Sequence, residues 1–217
     1  MRPVTPVLIY DDFFNTPDAI RNFALGLDFP DKGEAWPGYR TKALHLNESK
    51  FFHYVNERIL RLLFSEPDPE FSYYAKTCFQ KITGIPPTKG WIHTDKDVLT
   101  AIVYLTPNAA LNTGTSIYRL KENLIGYDAK NLMPVKERLY SHGDNLEEAL
   151  LGVEENNSAF EETINISNLY NRLVVFDSSS FHAAQELCSS EEGHERLTLI
   201  SFFTRVDGDL PYLRMRR

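Results

Sequence analysis

The stretch GWIHTDKDVLTAIVYLT, residues 90–106, is the most informative part of the sequence for both fold and chemistry. Its second half is rich in β-branched and aromatic residues, which predicts a strand. Because side chains alternate faces along an extended segment, His93 and Asp95 are expected to point the same way and Thr94 the other way. An imidazole and a carboxylate on one face can hold a divalent metal, form a plain hydrogen bond or meet solvent. The rest of the sequence has to distinguish these three.

Strand-like segments surround this stretch, whereas helical patterns precede it. Short β-rich runs separated by turn-forming residues follow one another from residue 71, interrupted at about 121–165 by an acidic, partly helical insert. Before residue 71, apolar residues recur at helical spacing in FNTPDAIRNFALGL and SKFFHYVNERILRLLF. Helices followed by many short strands predict an α+β chain with a sandwich or barrel core.

The length of the chain favours one domain over residues 1–217. We expect the strand and helices of residues 1–70 to pack on a core at 71–206, and residues 207–217 to form a tail.

Charge and cysteine content exclude some classes of partner and compartment. The formal net charge is -7, which disfavours nucleic acid and anionic membranes as partners. The cysteines, Cys78 and Cys188, are far apart and are expected to be free thiols in a reducing compartment. The sequence shows neither a signal-peptide pattern nor an apolar run of membrane-spanning length, so we expect a cytoplasmic protein.

A third metal ligand is available in VVFDSSSFHAAQE, where His182 follows an apolar strand and a serine-rich turn. Two histidines and one carboxylate form the ligand set of many non-haem iron(II) sites. The remaining histidines lie in helical, polar or charged segments and are expected to be surface or packing residues. They are His45, His53, His142 and His194.

A candidate anion site lies on the strand RLTLISFFT. Alternation places Arg196 and Thr198 on one face, and an inward arginine in an apolar strand is costly unless it meets an anion. These two residues are therefore candidates for binding a carboxylate, with Tyr104 as a further donor. The alternatives are a salt bridge from Arg196 to a neighbouring acid and simple core packing of Tyr104.

The ordered set His-x-Asp, a distant histidine and an arginine at the start of the next strand resembles the iron(II)/2-oxoglutarate-dependent dioxygenases. The segment YLT is similar to the "YL" strand of the prolyl-4-hydroxylase-like branch. TGTSIYR stands where that branch has a Gly-Gly-Thr strand, and Gly114 and Thr115 match it. The opening IYDDFFNTPDAIRNFAL and the segment WPGYR resemble a little-characterised group of oxygenases in the same superfamily.

This resemblance implies a double-stranded β-helix core, also called a jelly roll or cupin-like fold. It implies that His93, Asp95 and His182 bind iron(II), and that the metal is chelated by the 2-oxo acid end of 2-oxoglutarate. The far carboxylate would bind Arg196, with Thr198 and Tyr104. With O₂ as the other co-substrate, a C–H bond of a small molecule or protein side chain would be oxidised, with hydroxylation as the expected outcome, releasing succinate and CO₂.

Four residues outside these two ligand sets are possible contacts for the substrate. They are Tyr39 and Arg40 of the WPGYR segment, Trp91 and Asn171. Two other functions stay open: a cupin-like metalloenzyme that does not use 2-oxoglutarate, and a non-catalytic jelly-roll binding module. A serine hydrolase using Ser178–Ser180 is disfavoured, because the sequence has no Gly-x-Ser-x-Gly elbow.

Overall fold

The structure is a computed structural model that describes residues 7–32, 36–63, 70–83, 88–122, 146–187 and 195–207, with the backbone alone for 146–149. Several predictions fall outside these ranges. They concern Cys188, His142, His194, most of the acidic insert and the tail from residue 208.

The described residues form four α-helices, one 3₁₀ turn at Leu111–Thr113 and ten strands. The helices are α1 (Pro17–Leu25), α2 (Leu44–Asn47), α3 (Ser49–Arg61) and α4 (Leu146–Ser158). The strands are β1 (Val7–Tyr10), β2 (Asp31–Lys32), β3 (Tyr39–Arg40), β4 (Ser72–Ile82), β5 (Leu99–Tyr104), β6 (Thr115–Leu120), β7 (Phe160–Ile166), β8 (Leu173–Asp177), β9 (Phe181–Ala184) and β10 (Arg196–Asp207).

Two antiparallel sheets make up the core. The larger has the order β1-β8-β5-β10-β4-β3-β2, and the smaller has the order β7-β6-β9. From β5 onward the chain passes repeatedly from one sheet to the other, so strands that are neighbours in sequence often lie in different sheets. The predicted combination of N-terminal helices and a two-sheet β core is confirmed.

The N-terminal helices cover the outer face of the larger sheet. Helix α3 buries Phe52, Val55 and Ile59, which recur at the three- and four-residue spacing of one helix face. They belong to the same apolar cluster as Leu199 and Phe203 of β10. Because the side chains of alternate β10 residues point to this outer face, the side chains of the intervening residues point into the space between the two sheets.

Residues 90–95 extend the smaller sheet without forming a regular strand. The main chains of His93 and His182 exchange two hydrogen bonds, of 3.1 and 2.9 Å. Gly90 donates its N–H to the carbonyl oxygen of Ala184, and a Cβ at this glycine would lie 2.8 Å from the Ala184 backbone. A residue without a side chain is therefore needed where this segment meets β9.

The predicted boundary of the acidic insert is wrong at its C-terminal end. All but the last residue of strand β7 lies within the predicted insert, but β7 pairs with β6 along its whole length, from Thr115 opposite Ile166 to Leu120 opposite Phe160. The half-buried Glu161 and the exposed Glu162 continue the acidic composition of the preceding helix into this edge strand. The acidic composition therefore led to the wrong prediction that this strand of the smaller sheet belongs to the insert.

Asn171, predicted as a possible substrate contact, is instead a structural residue outside the cavity described below. Its φ angle is 65°, a left-handed conformation that asparagine adopts more readily than most residues. Its side chain accepts a hydrogen bond from the Phe14 N–H (2.8 Å) and donates one to the Phe14 carbonyl oxygen (2.9 Å). This buried side chain fastens the N-terminal segment to the turn before β8.

Replacing Asn171 by alanine is expected to lower the free energy of unfolding by about 2–4 kcal/mol, since it removes two buried hydrogen bonds and strains the turn. Chemical denaturation measures this loss. The matched control is Asn165→Ala at an exposed position, for which we expect a change of less than about 0.5 kcal/mol. Equal losses for the two variants would contradict the structural role of Asn171.

Candidate metal centre and co-substrate cavity

The structure brings together the three residues predicted as metal ligands. One ligand atom from each of His93, Asp95 and His182 lies within 4.8 Å of the others. The Asp95 carboxylate is 3.7 Å from Nε2 of His93 and 3.4 Å from Nε2 of His182. No other such group of histidine, cysteine and acidic residues occurs in the described ranges. Two imidazoles and one carboxylate, grouped on one side, match the donor set that suits iron(II) with open coordination positions.

Main-chain contacts orient both imidazoles toward this centre. Nδ1 of His93 lies 2.7 Å from the Trp91 carbonyl oxygen, and Nδ1 of His182 lies 2.8 Å from the Ser180 carbonyl oxygen. A carbonyl oxygen can only accept, so each Nδ1 carries a proton and donates it. The lone pair of the neutral ring is then on Nε2, the atom that faces Asp95. Both rings are therefore prepared to bind a cation through Nε2.

The serine-rich turn before His182 is held together by local contacts. Ser179 and Ser180 donate their N–H groups to Asp177, and the Ser178 hydroxyl is 2.8 Å from that of Thr100. These contacts are local turn and packing interactions.

A cavity of about 470 Å³ between the two sheets contains all three candidate ligands. Its walls combine apolar residues with a few polar and charged groups, as is usual for small-molecule sites. Its lining residues include Trp36, Arg40, Lys76, Gln80, Thr115, Arg196, Ile200 and Phe202.

Arg196 lies in the wall of this cavity, as predicted. Its side chain is 8% exposed, and its Nε donates to the Thr113 carbonyl oxygen at 3.0 Å. Thr198 lies on the same face of β10, between Arg196 and Ile200, and is buried directly behind the cavity wall rather than in its lining. Among the described residues, the Thr198 hydroxyl has no hydrogen-bond partner. A buried, unsatisfied hydroxyl beside a buried guanidinium is what a bound carboxylate would satisfy.

Tyr104 lies beside this polar group but contacts the cavity only through Thr115. It is opposite Thr198 in the pairing of β5 with β10, is fully buried, and its hydroxyl donates to Oγ1 of Thr115 at 2.8 Å. Burial raises the pKa of Tyr104, although Arg196 and the hydrogen bond to Thr115 oppose the rise, so the phenol stays protonated and donates. Thr115, not Tyr104, lines the cavity. Thr115 was not predicted as a site residue, but its match to the Gly-Gly-Thr strand is a signal that could have identified it.

The predicted substrate-side residues separate into two groups. Arg40 and the buried Trp91 line the cavity, whereas Tyr39 and Asn171 do not. Strand alternation explains Tyr39: it neighbours Arg40 in β3, so the two side chains leave opposite faces of the sheet. Both Tyr39 and Asn171 are therefore corrected.

Solved structures with the same fold are known. HygX from Streptomyces hygroscopicus, with nickel and 2-oxoglutarate bound, superposes with a TM-score of 0.57 at 11% identity, covering 92% of this chain and 83% of that one. The non-heme alpha ketoglutarate dependent epimerase SnoN from nogalamycin biosynthesis gives 0.55 at 11% identity, covering 97% and 89%. The viral collagen prolyl hydroxylase of Paramecium Bursaria Chlorella virus-1, in its 2OG complex, gives 0.50 at 13% identity, covering 91% and 94%.

These similarities confirm the predicted fold: the chain is a double-stranded β-helix protein of the kind found in 2-oxoglutarate-dependent oxygenases. Within that fold it belongs to DUF6445, a family of unknown function whose model matches residues 2–203. A search of curated proteins finds no relative of this chain. In the part of the chain that the structure describes, no helix is long and apolar enough to cross a membrane.

Proposed function

We propose that this protein is an iron(II)- and 2-oxoglutarate-dependent oxygenase that oxidises a C–H bond of a small molecule or a protein side chain. The observation that carries the proposal is the placement of two ligand sets in one cavity. The group of His93, Asp95 and His182 suits a divalent metal, and the wall contains a buried arginine, Arg196, suited to a carboxylate. 2-Oxoglutarate carries both the chelating group and the carboxylate that such a cavity would require.

The residues present fit iron(II). Nε2 of each imidazole and the Asp95 carboxylate would be its protein ligands, and the main-chain acceptors at Trp91 and Ser180 hold the rings in the tautomer that binds metal. When bound, iron and 2-oxoglutarate activate O₂, so that one oxygen atom reaches the substrate while 2-oxoglutarate becomes succinate and CO₂. The protein contributes position and exclusion of water.

The residues present also fit the co-substrate. The Arg196 guanidinium and the Thr198 hydroxyl would bind the carboxylate far from the metal. The Thr115 hydroxyl accepts from Tyr104, which leaves its own proton to be donated into the cavity. This refines the predicted set, in which Tyr104 bound the co-substrate directly.

Ligands recorded for the fold neighbours support the same proposal. HygX holds nickel with 2-oxoglutarate, and the viral prolyl hydroxylase is a 2OG complex. SnoN is described as an epimerase, so this fold accommodates more than one outcome of the oxidation. Hydroxylation is the outcome we propose here, since it is the simplest result of transferring one oxygen atom to a C–H bond.

Calorimetric titration of 2-oxoglutarate into protein loaded with manganese(II) tests the proposal without turnover. We expect one site whose affinity falls sharply when the metal is omitted, because the metal supplies one of the two anchoring points. Succinate formation under air with iron(II) is the corresponding activity readout. A protein that binds manganese(II) but takes up no 2-oxoglutarate would contradict the proposal.

A further inference from the structure

Two cations on the β3–β4 side of the cavity have no role in the proposed function. They are Arg40, which is half-buried, and Lys76, which is exposed at the mouth. Among the residues that the structure describes, no carboxylate forms a salt bridge with either side chain. Asp95 and Asp31 attract the Arg40 guanidinium only through longer-range electrostatics. A partly desolvated guanidinium without a carboxylate in direct contact is costly unless a ligand provides one.

The Arg40 guanidinium is held in place by neutral groups. Its Nε donates to Oε1 of Gln80 at 3.1 Å, and its central carbon lies 4.3 Å from the centre of the Trp36 ring and 5.3 Å from that of Phe202. Gln80 is itself fixed, because its amide donates to the Pro37 carbonyl oxygen at 2.7 Å. These contacts occupy the Nε edge and the ring-facing surfaces of the guanidinium, and they leave its terminal nitrogens as donors.

The turn that precedes Arg40 fixes this position through Gly38. The φ angle of Gly38 is 72°, and a Cβ there would lie 2.2 Å from the Lys81 carbonyl oxygen of β4. Close approach of the turn to β4 is therefore possible only with glycine. It brings Arg40 opposite Gln80 in the pairing of β3 with β4.

Strand register places Lys76 at the level of the metal ligands. Lys76 is opposite Phe202 in the pairing of β4 with β10, and the Phe202 ring faces Arg40. Thr100 is opposite both Phe202 and Phe176, and the His182 ring lies 4.7 Å from that of Phe176. Lys76 and the candidate metal centre therefore share one row across the sheet, and the Arg40 guanidinium approaches this row through its contact with the Phe202 ring.

Arg196 lies at a different level. Arg40, Gln80 and Thr198 form one row, and Arg196 is two residues beyond Thr198 along β10, away from Phe202. Two separate anion-binding positions are thus available in one cavity. The one at Arg196 is accounted for by 2-oxoglutarate.

We propose that the substrate carries an anionic group, a carboxylate or a phosphate, which binds to Arg40 and Lys76 on the β3–β4 side of the cavity. This inference rests on the proposed function for its assignment of Arg196 to the co-substrate. Arg40 would donate from its terminal nitrogens, and Lys76 would add a second positive charge at the mouth. The apolar side chains of Ile200 and Phe202 would contact the remainder of the substrate.

Binding of simple anions tests this inference directly. Protein saturated with zinc(II) and 2-oxoglutarate is titrated in a calorimeter with phenyl phosphate, with benzoate and with benzylamine, a cation of similar size. We expect at least one of the two anions to bind and the amine not to bind. The anion that binds more tightly identifies the group on the substrate.

Variants locate the site. Arg40→Gln is expected to weaken anion binding roughly 10- to 100-fold, the effect of losing hydrogen bonds from a charged donor. Lys76→Gln, at an exposed position that leaves the fold intact, should weaken it by a smaller factor of about 3 to 10. Lys81→Gln removes the same charge from β4 on the opposite face and should leave binding unchanged.

The inference would be overturned by any of three results. Neither anion binds the wild-type protein more tightly than about 10 mM, or Arg40→Gln and Lys81→Gln bind alike, or the anion binds only by displacing 2-oxoglutarate. Repeating the titration without metal and without 2-oxoglutarate tests the anion site independently of the proposed function. If the protein takes up no 2-oxoglutarate yet binds the anion through Arg40, the co-substrate assignment fails and the second anion site stands.

Discussion

Replacing His182 by alanine is expected to weaken binding of iron(II) by more than about 100-fold and to abolish any iron-dependent activity. The candidate centre has three protein ligands, and this change leaves only His93 and Asp95. Losing a residue that merely orients a metal ligand typically costs 10- to 100-fold in affinity, so losing a ligand should cost at least the upper end of that range. Competition with a coloured chelator under anaerobic conditions measures the change.

The matched control for this experiment is His45→Ala, which removes an exposed histidine on α2, far in the fold from β9. Its affinity for iron(II) should equal that of the wild-type protein. A His182→Ala protein that remains folded and binds iron(II) as tightly as the His45→Ala protein would contradict the assignment of the metal centre.

The second large effect is expected at Arg196. Arg196→Gln should raise the dissociation constant of 2-oxoglutarate roughly 30- to 700-fold, because truncating one partner of a buried, hydrogen-bonded charge pair costs about 2–4 kcal/mol. Binding of the metal alone should be unaffected, since Arg196 is not among the metal ligands. Calorimetric titration of manganese(II)-loaded protein gives both values.

Two comparisons separate ligand binding from a structural role of Arg196. Arg205→Gln removes an exposed arginine from the same strand and should leave 2-oxoglutarate binding unchanged. Arg196→Lys keeps the charge but loses the two-pronged geometry, so an intermediate affinity is expected. If Arg196→Gln lowered the free energy of unfolding but left the dissociation constant of 2-oxoglutarate unchanged, Arg196 would be a packing residue.

The grouping of the candidate metal ligands could be predicted from the sequence because two simple regularities determine it. Alternation along an extended segment places His93 and Asp95 on one face, and the order of the strands brings His182 opposite His93. The same alternation placed Arg196 and Thr198 correctly on the cavity side of β10. In a regular strand, the position of a residue in the sequence directly determines the face of the sheet to which its side chain points.

The errors occur where no such regularity applies. Asn171 is in a turn whose left-handed conformation has no periodic signature, and its contacts are to Phe14, a residue distant in sequence. Tyr39 and Arg40 form a two-residue strand, too short for a pattern to show which side chain faces the cavity. Strand β7 is at the edge of the smaller sheet, where acidic side chains are tolerated, so its composition resembled that of the insert.

Thr115 illustrates a limit of a different kind. Tyr104 was predicted as a co-substrate ligand from its place on the strand, but it is fully buried and reaches the cavity only through the Thr115 hydroxyl. Strand alternation gives the face on which a side chain lies. It does not give the depth at which a long aromatic side chain ends, which depends on packing between the two sheets.

The central claim is that one cavity binds iron(II) and 2-oxoglutarate together, and a single anaerobic absorption measurement tests it. Iron(II) and 2-oxoglutarate are added to the purified protein, and the weak visible charge-transfer band of their chelate is recorded for the wild type, His93→Ala and Arg196→Ala. We expect a band in the wild-type protein, no band with His93→Ala, and a weaker band with Arg196→Ala at limiting 2-oxoglutarate. A folded, iron-loaded protein without the band would contradict the account and favour a cupin-like metalloenzyme that does not use 2-oxoglutarate; a folded protein that binds no iron would favour a non-catalytic binding module.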